Sequence, residues 1–166
     1  MKKIALLALI VVLLPAALIA QTKQINDIFD KYEKKRSIES ITISPALLDF
    51  MGGGNNQETK DLLSKITELR ILNVPNTATE NGTQIRAMLK RDLDALIASE
   101  NFTRVIKVDN SDEKMEMYMI KGNKGVLLFM TSDNSTFTVI SILGEIDKTV
   151  TSAVMNGGIK IKSDKR

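Results

Sequence analysis

The residues best placed to do chemistry are carboxylates lying close together: Asp109, Asp112 and Glu113 in one stretch, Glu145 and Asp147 in another. Two carboxyl groups held about 5–9.5 Å apart suffice for glycoside hydrolysis, one as acid and the other as base or nucleophile. Each group also has a backbone reason to be where it is. Asp and Asn favour hairpin turns because their side chains bond the local backbone, and Asp147 stands where a helix N-cap belongs. The backbone explanation is the stronger one, and the chain is small for a glycosidase with a substrate cleft. The Asp109–Glu113 stretch carries oxygens that could take calcium, yet it lacks the glycine and spaced ligands of an EF-hand loop.

Met115, Met117 and Met119 alternate, so a strand would turn all three thioethers to one side. Presented together they would form a soft site for Cu(I). Glu116 and Tyr118 on the opposite side read as solvent-facing, which turns the methionines inward as adaptable core filler. Gly52-Gly53-Gly54-Asn55-Asn56 precedes a helix, as a phosphate cradle would. No Gly-Lys-Ser/Thr follows and no strand comes before, so a helix–helix connection explains the glycines better. Lys34-Lys35-Arg36 is flanked by Glu33 and Glu39 and reads as a solvated helix end, where cations suit the dipole. Asn81-Gly82-Thr83, Asn101-Phe102-Thr103 and Asn134-Ser135-Thr136 match the N-glycosylation triplet.

What is missing decides more than any motif. None of the 166 residues is histidine or cysteine, which removes histidine-based triads, thiol nucleophiles, ordinary zinc sites and haem ligation by either residue. An enzyme built from this chain would work with carboxylates, lysines, hydroxyls or a hard metal.

The elements that must position these residues start with Met1-Lys2-Lys3, an apolar run from Ile4 to Leu14, then Pro15 and Ala16-Ala17-Leu18-Ile19-Ala20. A cationic start, an apolar stretch and a small terminal residue make a signal peptide over residues 1–20. The run to Ile19 is shorter than the roughly 20 residues of a spanning helix, so cleavage after Ala20 is expected and no transmembrane segment remains. With no cysteine at the cleavage point, a lipoprotein is not expected. Removing 20 of 166 residues leaves 146, enough for a single domain over residues 21–166. Losing Lys2 and Lys3 brings the formal charge from +3 to +1, which offers no broad footprint for nucleic acid.

Ile25, Ile28, Phe29 and Tyr32 recur at helical spacing. A strand over 37–44 follows, with Ile41 and Ile43 on one face, then a short helix opened by Ser44-Pro45 and closed at Gly52. A helix carrying Leu62, Leu63 and Ile66 leads to a strand over 69–74 and a polar loop over 75–82. The clearest helix is 83–98, with Ile85, Met88, Leu89, Leu93 and Leu96 along one side. Strands at 102–108, 115–120, 126–131 and 136–143 are joined by turn-rich links, Gly122–Gly125 among them, and form a meander. A last helix spans 147–156, and the tail over 160–166 is expected to be loose. The reading is an α+β domain: an antiparallel or mixed sheet with a β-meander in its C-terminal half, packed by four to five helices. Val126, Leu128 and Met130 oppose Leu127 and Phe129, and Val139 and Leu143 oppose Ile140 and Ile142. Strands apolar on both sides are buried on both sides, by helices or by a second subunit.

An alanine–glutamine processing site, a helix with Phe29 and Tyr32, the strand Leu69-Arg70-Ile71-Leu72 before a long helix, and the closing Ile140-Ser141-Ile142-Leu143-Gly144-Glu145-Ile146-Asp147 form one outline. In these features the chain resembles the exported Bacteroidetes proteins grouped as domain of unknown function 4252. The resemblance spans nearly all of residues 21–166 and implies a bacterial envelope setting and a small accessory role. It supplies no catalytic residues. Gly144 and Asp147 read as a strand exit and a helix cap.

The expected function is thus a non-enzymatic binding or accessory protein of the cell envelope, periplasmic or extracellular, whose partner is an envelope protein or a second copy of itself. No catalytic, cofactor-binding or metal residue is assigned and no cofactor is expected. Its expected contact surfaces are the loops Gly52–Asn56 and Pro75–Gly82 or an uncovered sheet face. The alternatives are a carboxylate-dependent hydrolase of an envelope glycan and, behind it, methionine-based soft-metal binding.

Overall fold

Among the described residues, apolar side chains every third or fourth position give five helices, and alternating ones give the strands between them. The computed structural model describes residues 22–52 and 57–155. Residues 1–20, read above as a signal peptide, the glycine–asparagine stretch 53–56 and the C-terminal tail expected to be loose lie outside the described residues. Helix α1 (22–33) is followed by β1 (Glu39–Ile43), α2 (Pro45–Gly52), α3 (Gln57–Ser64) and β2 (Ile66–Pro75). A two-residue hairpin, β3 (Thr79–Glu80) and β4 (Thr83–Gln84), opens into α4 (Ile85–Ser99). Then come β5 (Thr103–Asp109), β6 (Lys114–Ile120), β7 (Gly122–Ser132), β8 (Thr136–Ile146) and α5 (Lys148–Met155).

Six strands form one sheet in the order β1-β2-β8-β7-β6-β5, and every neighbouring pair is antiparallel. The C-terminal meander β5–β8 is therefore intact, and β2 adds to its β8 side with β1 outermost. The two faces of the sheet each have their own core. On the first, Leu72, Val74, Val126, Leu128 and Val139 meet Ile25, Phe29 and Tyr32 of α1 and Leu89 and Leu93 of α4. On the second, Leu69, Ile71, Met117, Leu127 and Ile142 meet Leu48 of α2 and Val150 of α5. Helices thus lie on both faces, two long ones on the first and three eight-residue ones on the second.

Several boundaries differ from the sequence reading for identifiable reasons. Ile66 is not on the helix with Leu62 and Leu63 but starts β2, because its backbone pairs with Gly144. The 75–82 segment is not a free polar loop. Ala78 is buried, its carbonyl accepts the Ile85 N–H at 3.0 Å, and Asn76 donates to the Asn134 carbonyl at 2.6 Å. Thr83 therefore belongs to the hairpin, whose turn residues Asn81 and Gly82 have φ of 49° and 78°, and the helix starts at Ile85. Gly122–Gly125 is not a bare turn, since β8 continues to Ile146 and gives Gly122 and Gly125 partners across a bulge. Gly144 accordingly is no strand exit. It sits within β8 at φ 146°, and a Cβ there would stand 2.1 Å from the Lys65 carbonyl oxygen. Only glycine lets the start of β2 approach so closely.

Candidate binding surfaces

The carboxylates singled out from sequence do not converge. Asp109 and Lys114 pair across the β5–β6 hairpin with side chains 3.2 Å apart, and the Asn110 N–H donates to the Glu113 carbonyl at 2.9 Å. Asp109, Asp112 and Glu113 are all exposed on this tip. Asp147 caps α5, accepting the Val150 N–H at 3.0 Å, and pairs with Lys65 at 2.5 Å. The Lys65 ammonium and that N–H hold its carboxyl below the usual carboxylate range. Glu145 is exposed.

The three methionines share the second face, as their spacing requires. Met117 is buried in the core, Met119 is half-buried with its sulfur 3.9 Å from the Thr151 hydroxyl of α5, and Met115 is half-buried. Across the sheet, Tyr118 is half-buried against the first core and donates to Glu116 at 3.2 Å. That side of β6 is not solvent-facing as expected, because α4 lies over it, with Lys90 4.0 Å from Glu116. Burial raises the Tyr118 phenol above its ordinary pKa, and the Glu116 charge adds to this.

Ile41, Ile71, Ile140, Phe129, Met117 and Ile106 stand in one line across all six strands of the second face. Ile71 and Met117 are buried, but Ile41, Ile140, Phe129 and Ile106 are only half-buried. The short helices therefore cover this face incompletely. Beside its outer edge, α2 buries Leu48 and exposes Leu47 (45%) and Phe50 (83%). The edge strand leading into α2 is Glu-Ser-Ile-Thr-Ile, without lysine, proline or bulge. Edge strands are usually blunted by such features, and the opposite edge, β5, carries Arg104, Lys107 and Asp109. Apolar helix surface next to a strand edge whose one charge is Glu39 at its start is suited to a protein partner.

The helical side is built differently. Lys31 and Tyr32 of α1 both donate to Asp92 of α4, at 2.6 and 2.9 Å. Burial works to raise the Asp92 pKa, but those hydrogen bonds outweigh it and hold the carboxyl below its ordinary value. Burial and the bond to Asp92 raise the Tyr32 phenol well above its own. Arg70, on β2, points into the first core beneath α1 with its side chain 7% exposed. It pairs with Asp30 and Glu33 at 2.7 Å each, with Glu68 at 3.9 Å, and lies over the Phe29 ring at 5.2 Å. Its Nε and the Glu68 Oε1, which face each other at 3.9 Å, and the Asn26 Oδ1 and the Ser141 hydroxyl are buried without a hydrogen-bond partner. Sequence reasoning missed this cluster. The available signal was a charge on the same strand face as Leu72 and Val74, which burial would oblige to find carboxylates.

Of the surfaces expected from sequence, Gly53–Asn56 lies outside the described residues, and 75–82 is pinned by Asn76. Among the described residues no helix is long and apolar enough to cross a membrane, and no three acidic side chains gather where a metal ion could sit. A family model described as domain of unknown function (DUF4252) matches residues 32–153. No curated protein and no solved structure matches the chain.

Proposed function

Since the chain belongs to the DUF4252 family, whose description carries no activity, we propose from its geometry that it is an exported binding protein of the bacterial cell envelope without catalytic chemistry of its own. The observation that carries this reading is the exposure of Phe50 and Leu47 on α2, which follows the edge strand β1, together with the half-covered row of the second face. Large aromatic side chains left in water cost free energy that a partner recovers: fully burying a Phe is worth about 1.5–3 kcal/mol. The partner is an envelope protein or a second copy of the chain, and it adds to the β1 edge while covering α2.

Support for a non-catalytic role comes from the carboxylates. Those of the β5–β6 tip project into solvent, and Asp147 is occupied as a cap and ion-pair partner. Asp92, Asp133 and Asp147 are displaced in pKa, and all three downward. A general acid for glycan hydrolysis needs the opposite displacement. Export rests on the signal-peptide pattern of residues 1–20.

The test is a photo-crosslinking residue placed at position 50 in the native cell, read alongside light scattering of the purified protein. A discrete adduct at position 50, absent when the crosslinker stands at exposed Lys107, supports the reading. A mass of twice the chain identifies the partner as a second copy. If position 50 gives no adduct and the protein stays monomeric at all concentrations, the contact surface is wrongly placed.

A further inference from the structure

A cavity of about 270 Å³ lies between the first two turns of α4 and the ends of β6, β7 and β8 that face them. Its floor is apolar, made by the buried side chains of Met130 and Phe137. Arg86 forms one wall. Its Nη1 donates to the Asn76 Oδ1 at 2.5 Å and lies 3.4 Å from the Asp133 carbonyl, and its Nη2 donates to the Ser132 hydroxyl at 2.9 Å. The guanidinium also sits 5.8 Å from the centre of the Phe137 ring. Every acceptor that fixes it is neutral, and among the described residues it enters no ion pair within 4 Å.

The other charges at the cavity are differently disposed. Lys90 and Lys114 stand at its mouth, the first shared with Asp94 at 2.8 Å and Glu116 at 4.0 Å, the second with Asp109 at 3.2 Å. Glu116 is the one carboxylate in the lining, and it accepts the Tyr118 hydroxyl at 3.2 Å. Lys90 and Lys114 are balanced by Asp94, Glu116 and Asp109. The half-buried, rigidly held Arg86 guanidinium is instead fixed by neutral acceptors and feels the Asp133 carboxylate through its field rather than through an ion pair, so it is the cation at the cavity best placed to take an anion. A charged hydrogen bond to such a fixed donor is roughly twice as strong as a neutral one. Glu116 in the same wall disfavours a second negative charge on the ligand. Phe137 and Met130 require the rest of the ligand to be apolar, and the volume falls just below the usual range for small-molecule pockets, about 300–1,000 Å³.

We propose that this cavity binds a small monocarboxylic acid, its carboxylate against Arg86 and its compact apolar body on Met130 and Phe137. The site is separate from the α2–β1 surface and does not depend on the partner-binding reading. It fits an aryl or short alkyl acid better than a phosphate, which would bring a second charge toward Glu116 and nothing for the apolar floor.

An amide-detected NMR titration of the exported, processed protein tests this with phenylacetate and hexanoate, using phenylacetamide and inorganic phosphate as controls. The acids are expected to shift the amides of Arg86, Thr131, Ser132 and Phe137 saturably, with a Kd of about 1 mM or tighter, a range in which tenfold corresponds to one decade of ligand. Neither control should do so. Arg86→Gln is expected to weaken binding at least tenfold. Because Arg86 also holds Asn76 and Ser132, Lys90→Gln at the exposed mouth serves as the second variant and should weaken it several-fold with the fold intact. The proposal is overturned if the acids give no saturable shift up to about 10 mM, or if the amide or phosphate binds as well as the acids. It is equally overturned if affinity survives in Lys90→Gln and in whatever folded Arg86→Gln is obtained.

Discussion

Asp92 and Tyr32 tie α1 to α4 through one hydrogen bond whose two ends respond to opposite extremes of pH. Asp92 is held below its ordinary pKa, so its contribution is complete above the usual carboxylate value near 4 and is lost as pH falls through the lower folded value. Tyr32 is displaced upward, so its contribution is complete below the usual phenol value near 10 and is lost as pH rises toward the folded value. The chain has two tyrosines, so Tyr118→Phe leaves Tyr32 as the only phenol. Its absorbance titration should then have a midpoint clearly above 10 or coincide with alkaline unfolding; a reversible midpoint at about 10 would mean that the bond to Asp92 is not held in solution. Gly144 makes a second claim at this scale. A methyl group there meets the Lys65 carbonyl at 2.1 Å from a backbone with φ 146°, so Gly144→Ala should cost at least about 3 kcal/mol, read from the urea midpoint. Neither effect was legible in the sequence. Periodicity identified Tyr32 as a core position but could not place Asp92 opposite it, and Gly144 looked like an end of β8 because the Ile66 pairing that needs it comes from 78 residues earlier.

Elements whose signal is local were readable from the chain alone. The 3.6-residue spacing of Ile85, Leu89, Leu93 and Leu96 gave α4 to within two residues at its start, and the alternation on both sides of β7 and β8 gave a sheet buried on two faces. Elements held by distant partners were misjudged. The 75–82 segment reads as a polar loop until Asn76 reaches Asn134 and Ser135 across the β7–β8 turn. The charge on β2 was visible as a letter, but only α1 packed above it supplies Asp30 and Glu33. Breaking a buried ion pair by removing one partner typically costs 3–5 kcal/mol; with Glu33 and Glu68 about a third exposed, Arg70→Ala should cost about 3 kcal/mol, the lower end of that range. The isosteric Arg70→Met removes the charge but keeps much of the packing, so it should recover part of the loss. If Arg70→Ala and Arg70→Met are equally destabilised by chemical denaturation, the cluster matters for charge alone and not for the contact with Phe29.

At the scale of the molecule, the sheet divides the domain into two unequal halves. The first face is closed by two helices, one of 15 residues, which bury Phe29, Tyr32, Leu89 and Leu93 completely. The second is closed by three helices of eight residues, in which α3 buries no side chain and α5 buries only Val150. Short helices owe their stability to packing rather than to their own hydrogen bonds, so these three should open at lower free energy than the sheet beneath them. Truncations should follow the same asymmetry: Leu89→Ala costs about 2–5 kcal/mol, while Leu62→Ala on half-buried α3 costs less than about 1 kcal/mol. Native-state hydrogen exchange should find β2, β8, β7 and β6 slowest, each paired on both sides within the sheet, α4 next, and α2, α3 and α5 fastest. Such a distribution suits a domain whose second face is completed by something else, because the partner then stabilises what is locally weak. Addition of the partner captured at Phe50, or concentration into a dimer if that partner is a second copy, should slow exchange in α2 and β1 and leave β5, at the far edge, unchanged. Uniform exchange over both faces in the isolated protein would instead mean that the second face is complete as it stands, and that Phe50 is exposed without a partner to bury it.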